Sequence, residues 1–310
     1  MTRIYSDLGL SGLVPVRSVA KSHTMICSRN LLRGVLAFFI CLIASCPTTY
    51  GFQASGPLET EAPTPVAADA ALPDAPPAPE DVTLKGLPLA ILKDQIPIWT
   101  SPIRTRPHDL IWLLPLGAAT GITLSTDTDT MREVSRDPTF NKNNVNVSNY
   151  LLGGELAIPA VMYGLSILNG NDHAHETGIL SGEAVADAAI VEEVAKVAFR
   201  RERPLTNNAA GDFFVSGLGT QGGFPSTHST LAWAAASVIA GEYPSVWVDA
   251  SIYTMATAVS LTRVLGQQHF PTDVLVGGAA GWLIGHYVFK KHSQVRTGYG
   301  LHAILAHVTH

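Results

Sequence analysis

The chain has 310 residues, 46% hydrophobic and 15% charged, with a formal net charge of -5 at pH 7. Charged residues fall well short of the roughly 25% of an average globular protein, and a mean hydropathy of +0.21 raises the question of membrane contact. This composition excludes a disordered chain, and the missing basic excess argues against nucleic acid as a partner. All three cysteines, Cys27, Cys41 and Cys46, lie near the N-terminus. The remainder therefore offers no disulfide, thiol nucleophile or cysteine metal site, and its chemistry must come from His, Ser, Asp, Glu, Lys or Arg.

Residues 1–46 read as an export signal. Arg29 and Arg33 precede the apolar run Val35-Leu36-Ala37-Phe38-Phe39-Ile40-Cys41-Leu42-Ile43-Ala44, which small residues and Pro47 follow. That is a secretory signal pattern, and the run is short of the roughly 20 residues a bilayer span needs. Ile43-Ala44-Ser45-Cys46 also resembles a bacterial lipoprotein box, in which Cys46 would carry a lipid anchor; Met25 is an alternative start. The expectation is a periplasmic or exported protein, tethered to a membrane if Cys46 is lipidated. Five of the 20 basic residues and one of the 25 acidic ones precede residue 47, leaving 15 against 24 and a formal charge of -9. So acidic a remainder does not attract anionic polymers or anionic membranes, and any anion site must be built locally.

Residues 47–83 form a Pro/Ala-rich acidic linker, with seven prolines and six acids but no Lys or Arg between 53 and 82. Such a composition cannot bury a core and predicts an extended spacer. From Leu84 to residue 290 the pattern turns helical, and 291–310 form a tail. Apolar stretches near 109–124, 148–169, 179–201, 228–241, 247–264 and 272–290 are separated by polar or Gly/Pro-rich breaks. No alternating pattern suggests a strand, so the predicted fold is an all-α helical bundle. The stretches 109–124 and 228–241 are short for a membrane span, 150–168 contains Glu155, and 179–201 carries Glu183, Asp187, Glu192 and Glu193. These features predict a soluble bundle. Gly277, Gly281 and Gly285 recur every fourth residue, a surface for close helix approach.

Three polar motifs interrupt the bundle pattern. In Lys196-Val-Ala-Phe-Arg-Arg-Glu-Arg203-Pro204, seven helical steps of about 100° return to the same face, so Lys196 and Arg203 are predicted to share one side of a helix. Pro204 disfavours helix at Arg203 and predicts the helix end there. In Gly222-Gly223-Phe224-Pro225-Ser226-Thr227-His228, Ser226 suits an N-cap. The N–H groups of Ser226, Thr227 and His228 then make a helix-terminal anion site that the glycines let a ligand approach. In Thr262-Arg263-Val-Leu-Gly-Gln-Gln-His269-Phe-Pro-Thr-Asp273, Gly266 ends one helix and Pro271 opens the next. Asp273 is placed to reach a ring nitrogen of His269, leaving the other free to act as a nucleophile. Each motif alone has an ordinary reading, as dipole-complementing cations, a Ser-capped helix, or an Asp and a His at a helix entrance. The remaining histidines at 173, 175, 302, 307 and 310 read as solvated surface or tail residues.

Together and in this order the motifs resemble the type 2 phosphatidic acid phosphatase family, which shares its fold with class A bacterial acid phosphatases and vanadium haloperoxidases. The resemblance covers about residues 150–290 and implies an all-helical fold. Two positions depart from the family pattern: Thr227 stands where Gly is usual, narrowing the pocket while keeping its N–H, and Thr262 stands where Ser is usual, keeping the hydroxyl. The resemblance implies a phosphoric ester hydrolase acting on a phosphomonoester or a lipid (pyro)phosphate. Lys196, Arg203 and Arg263 would hold the phosphoryl oxygens, with Ser226 and Thr227 adding neutral donors. His269 would form a phosphohistidine, Asp273 would fix its tautomer, and His228 would act as general acid and then base. Three cations would make a metal unnecessary, so no metal ligand and no cofactor is expected, and vanadate is expected to inhibit. The alternatives are a vanadium-dependent haloperoxidase, with vanadate as cofactor, and a non-enzymatic phosphate-binding protein; retention of both histidines and Asp273 argues against the latter.

Overall fold

A computed structural model describes residues 83–294. The expected signal over 1–46, the linker up to residue 82 and the tail beyond residue 294, with His302, His307 and His310, lie outside the described residues. Regular structure among the described residues is entirely helical. The long helices are α1 (Leu87–Thr100), α2 (Leu110–Glu133), α3 (Pro138–Asn169), α4 (Asp172–Phe199), α5 (Thr227–Glu242), α6 (Val246–Leu265) and α7 (Pro271–His292). Short 3-10 turns at Asn207–Ala209 and Gly219–Gln221 punctuate the long connection between α4 and α5. The all-α expectation holds, and each of the six apolar stretches lies on its own helix, α2 to α7.

Helix boundaries follow capping chemistry more than hydrophobic periodicity. α3 begins ten residues ahead of its apolar stretch because Pro138 occupies its first turn and the Asp137 carboxylate accepts the Phe140 N–H at 2.8 Å, the preferred arrangement for a helix start. α2 runs nine residues past its apolar stretch, to Glu133, where the Val134 N–H still donates to the Thr130 carbonyl at 3.1 Å.

The core is centred on α5, whose Ala232, Trp233, Ala234, Ala235, Ala236 and Val238 are all buried. Leu180, Ala184 and Ala188 of α4 meet Ala234 and Val238 of α5 and Ile284 and Val288 of α7 in one apolar cluster. α7 lies directly on α5: a Cβ added at Gly281 would collide with the Thr230 carbonyl, and one at Gly285 with the Ala234 carbonyl. The four-residue glycine spacing is thus a backbone-to-backbone contact. A second cluster of Met131, Ala209, Val264, Phe270 and Val274 supports the α4–α5 connection from below.

The outside of α2 and α3 is more apolar than the soluble-bundle expectation implies. Pro107–Glu133 and Pro138–Asn169 are each long and apolar enough to cross a membrane, and their most apolar windows are 0% and 17% buried. On α3 the arrangement is inside out. Its buried residues are Asn141, Ser148, Glu155, Pro159 and Ser166, whereas Tyr150, Val161, Leu165, Ile167 and Leu168 are exposed. Glu155, which counted against a span in the sequence, faces inward and is fully buried. Polar groups turned to the bundle interior and apolar groups outward are what a lipid-facing helix requires.

Candidate active site

The three motifs converge where the C-terminal end of α4 meets the N-termini of α5 and α7. α4 stops at Phe199, four residues earlier than Pro204 suggests, with Arg200 as a left-handed C-cap at φ 44° and ψ 50°. Lys196 and Arg203 therefore do not share a helix face; Lys196 lies in the last turn of α4 and Arg203 in the loop beyond. The physical cause is Arg201. Its buried guanidinium donates to Asp127 of α2 and Asp273 of α7, each at 2.7 Å, and lies over the rings of Phe270 at 4.1 Å and Phe213 at 4.7 Å. Drawing Arg201 inward forces the turn at Arg200. Gly211 completes this packing with φ +68°, where a Cβ would press into the Phe270 ring.

His269 is 1% exposed. Its Nδ1–H donates to the Gly223 carbonyl at 2.7 Å, which puts the lone pair of the neutral ring on Nε2. Asp273 was expected to do this, but its Oδ2 lies 3.7 Å from His269 Nδ1, too far for a hydrogen bond. Its carboxylate is already engaged, by Arg201 on Oδ1 and by the Phe270 N–H on Oδ2 at 2.8 Å. Asp273 also accepts, through its backbone carbonyl, the N–H of Ser226 at 3.0 Å. That corrects the expectation of a free Ser226 N–H. The N–H groups of Thr227 and His228 remain in the first turn of α5, where no intrahelical carbonyl reaches them. Ser226 holds the N-cap position as expected but makes no cap bond, and its hydroxyl is buried without a partner.

Around this centre, Arg263 donates from Nη1 to Ser148 Oγ at 3.1 Å, and its Nε is buried without a partner. Arg203 donates to Gln268 Oε1 at 3.2 Å and to the Gln221 carbonyl at 3.3 Å. Lys196 Nζ donates to Thr227 Oγ1 at 2.6 Å and pairs with Glu192 at 2.7 Å, while Thr227 Oγ1 donates to the same Glu192 oxygen at 2.7 Å. His228 Nε2–H donates to Asn149 Oδ1 at 2.8 Å, so Nδ1 is the nitrogen that can take and give a proton.

The electrostatics are those of an anion site. Burial, then the charges of Arg263, Lys196 and Arg203, push His228 down to about 3. Burial, Arg263 and Arg203 hold His269 well below the usual histidine range, so both rings are neutral near pH 7. Burial and the neighbouring Arg203 bring Arg263 down to about 10. An anion placed among these groups would relieve their mutual repulsion.

Sequence reasoning missed Arg201, Glu192, Asn149 and Ser148 as site residues. Glu192 lies four residues before Lys196 on α4, a readable ion-pair spacing; Asn149 and Ser148 carry no motif. Two surface assignments are also corrected. His173 Nε2 lies 3.0 Å from a buried Glu242 oxygen, and His175 Nδ1 lies 3.1 Å from Ser166 Oγ with its ring against Tyr163. Both are paired residues within the fold.

Comparison with known proteins finds three similarities. Residues 178–296 match the family model of the PAP2 superfamily, a stretch containing all eight residues expected in the site. A lipid A 1-phosphatase of Porphyromonas gingivalis is 36% identical over 64 residues, which cover 20% of this chain and 14% of that protein. The chain thus matches only a small part of that relative's length. The crystal structure of a transmembrane PAP2-type phosphatidylglycerolphosphate phosphatase from Bacillus subtilis aligns with 66% of this chain and 94% of its own, at 20% identity and a TM-score of 0.36.

Proposed function

We propose that the protein is a phosphatase that removes a phosphoryl group from a lipid phosphate, pyrophosphate or related phosphomonoester, through a phosphohistidine on His269 and without a catalytic metal. The observation that carries this reading is the His269–Gly223 hydrogen bond, which leaves Nε2 as the unprotonated nitrogen beside Lys196, Arg203 and Arg263. Two of the three cations are guanidinium groups, which suit bidentate phosphoryl contact. The buried, unpartnered Ser226 hydroxyl and Arg263 Nε supply further donors.

In the first step the Nε2 lone pair of His269 forms a bond to phosphorus as the bond to the leaving oxygen breaks. His228, protonated once the phosphoryl anion offsets the surrounding cations, gives its Nδ1 proton to that oxygen. In the second step neutral His228 takes a proton from water, the resulting hydroxide attacks phosphorus, and the P–N bond breaks to return His269 and release phosphate. Asp273 contributes by position: it locks Arg201, the Phe270 N–H and the Ser226 N–H, tying the N-termini of α5 and α7 together. The lipid character of the substrate is supported by the name of the similar curated protein and by the exposed apolar faces of α2 and α3.

Acid-quench labelling with a radioactive phosphoester tests the roles. His269→Ala should lose turnover and phosphoenzyme together. His228→Ala should slow alkyl ester hydrolysis by about 10²–10⁴-fold, the usual range for general acid–base catalysis, and should accumulate label from a nitrophenyl ester. Label on His269→Ala, or wild-type rates for His228→Ala on alkyl esters, refutes the assignment.

A further inference from the structure

At the other end of α7 from the site is a buried group of side chains that the phosphatase reading does not use. Asp94 of α1, Glu183 of α4 and His292 of α7 bring one potential ligand atom each within 4.8 Å of one another. Asp94 and Glu183 are both 0% exposed. His292 Nε2 lies 3.0 Å from Asp94 Oδ2 and 3.6 Å from Glu183 Oε1. Both carboxylate oxygens of Glu183 are buried without a hydrogen-bond partner, as is Oδ2 of Asp187 one turn further along α4. Burying an unpartnered carboxylate is costly unless a proton or a cation neutralises it. We propose that Asp94 Oδ2, Glu183 Oε1 and His292 Nε2 bind a divalent transition-metal ion of the Zn²⁺ class, which clamps α1 to α4 and α7.

Charge and geometry both point to such an ion. Lys291 and the Tyr287 hydroxyl, the latter at 3.1 Å, both donate to Asp94 Oδ1. With Asp94, Glu183 and Asp187 ionised and the imidazole neutral, these side chains and Lys291 together carry two negative charges. Lys291 occupies Oδ1 of Asp94 and leaves Oδ2 turned toward His292. Metal–ligand bonds of about 2.0–2.2 Å in a tetrahedron place donor atoms roughly 3.3–3.5 Å apart, and the observed 3.0 and 3.6 Å bracket that spacing. One imidazole nitrogen with carboxylate oxygens suits Zn²⁺ and its neighbours better than Mg²⁺ or Ca²⁺, which prefer all-oxygen shells. Asp187, whose Oδ1 is held by Gln95 at 2.7 Å, is a neighbouring carboxylate that can hold a metal-bound water.

This ion is structural. Asp273 and His292 are nineteen positions apart on α7, about 28 Å at 1.5 Å per residue. Its ligands come from three helices far apart in sequence, which is why no spacing motif announced them and the sequence reading expected no metal. The clamp would reinforce the hold on α1, which is already tied to the bundle by the Gln95–Asp187, Tyr287–Asp94 and Lys291–Asp94 contacts and by Ile98 against the core.

The test uses the full chain, stripped with chelator and dialysed. Metal analysis after gel filtration should find one Zn²⁺ per chain on reloading. Zn²⁺ at a hundredfold excess over Kd should raise Tm by about 5–10 °C, the shift such linkage produces in a domain of this size. Mg²⁺ should not. Asp94→Asn and Glu183→Gln should lose both the bound Zn²⁺ and the shift; Glu183→Gln removes a buried charge and is expected to fold. Zn²⁺ bound equally by wild type and Glu183→Gln would place the ion elsewhere and overturn the proposal. So would a Tm that does not respond to Zn²⁺, or responds equally to Mg²⁺. Hydrolysis by the stripped protein well below its Tm should persist, which keeps this test separate from that of the catalytic reading.

Discussion

Thr227 sits where the related pattern usually has glycine, and its hydroxyl is used: it accepts from Lys196 and donates to Glu192. Thr227→Val keeps the shape and removes both bonds. Net hydrogen-bond contributions of about 0.5–1.5 kcal/mol predict a rise in KM of up to about tenfold with kcat little changed, while Thr227→Ser restores the wild-type value. Steady-state kinetics on one phosphomonoester distinguishes the two. His228 gives a second residue-scale expectation. Burial and the surrounding cations hold it near 3; an anion bound among those cations favours the charged ring, so saturating phosphate or vanadate should move its titration upward. Histidine NMR with and without vanadate measures this, and an unmoved His228 resonance contradicts the proposed general acid. Lys196, Arg203, Arg263, His228 and His269 were legible from motif spacing because that spacing is tied to helix ends. Arg201 was not, since nothing in Arg200-Arg201-Glu202-Arg203 says which arginine turns inward to Asp127 and Asp273. Nor was the Gly223 carbonyl as the partner of His269, because backbone acceptors leave no trace in sequence.

At the scale of elements, glycines on different helices have unequal duties. Gly281 touches the Thr230 carbonyl directly, and backbone cannot swing aside as a side-chain tip can. Gly182, on α4, has nothing within 4 Å of an added Cβ. Gly281→Ala should therefore destabilise by about 1–3 kcal/mol or more, the range for overpacking a tight contact. Gly182→Ala should stabilise by about 0.5–1 kcal/mol through reduced unfolded-state freedom. Chemical denaturation of both variants should move the midpoint in opposite directions; equal effects would mean that α5 and α7 do not meet through this seam. Periodicity located α4 to α7 because their apolar faces are buried in the ordinary way. It located α2 and α3 less well, since the start of α3 rests on Asp137 and Pro138 and α2 continues through the mostly polar residues 125–133, features that carry no hydrophobic signal.

At the scale of the whole molecule, the acidic charge and the polar residues of α3 and α4 suggested a protein in water, and the structure turns those polar residues inward. Asn141, Ser148 and Glu155 of α3, with Glu183, Asp187 and Glu192 of α4, are buried. Ile111, Leu114 and Ile122 of α2 and Leu165, Ile167 and Leu168 of α3 are exposed. A sequence shows that a helix mixes charges with apolar residues; which face the charges take depends on the neighbours it packs against. Exposed apolar area on this scale marks an interaction surface, and α3, at 32 residues, is longer than the roughly 20 that a bilayer core of about 30 Å requires. The protein should therefore remain with membranes through alkaline carbonate extraction and float with phospholipid vesicles. Leu165→Lys with Leu168→Lys should weaken that retention, because each lysine costs about 2.5–3.5 kcal/mol near the middle of a spanning helix and less toward its ends. The double variant leaves the N-terminal apolar run at 35–44 untouched, so lost retention would assign the contact to α3. Its side chains point away from the bundle, so helicity and hydrolysis of a water-soluble nitrophenyl ester should persist while hydrolysis of a vesicle-borne lipid phosphate falls. A wild-type chain that stays monodisperse without detergent and does not float, or a double variant that floats as well as wild type, would remove the membrane from this reading and leave an enzyme for soluble esters.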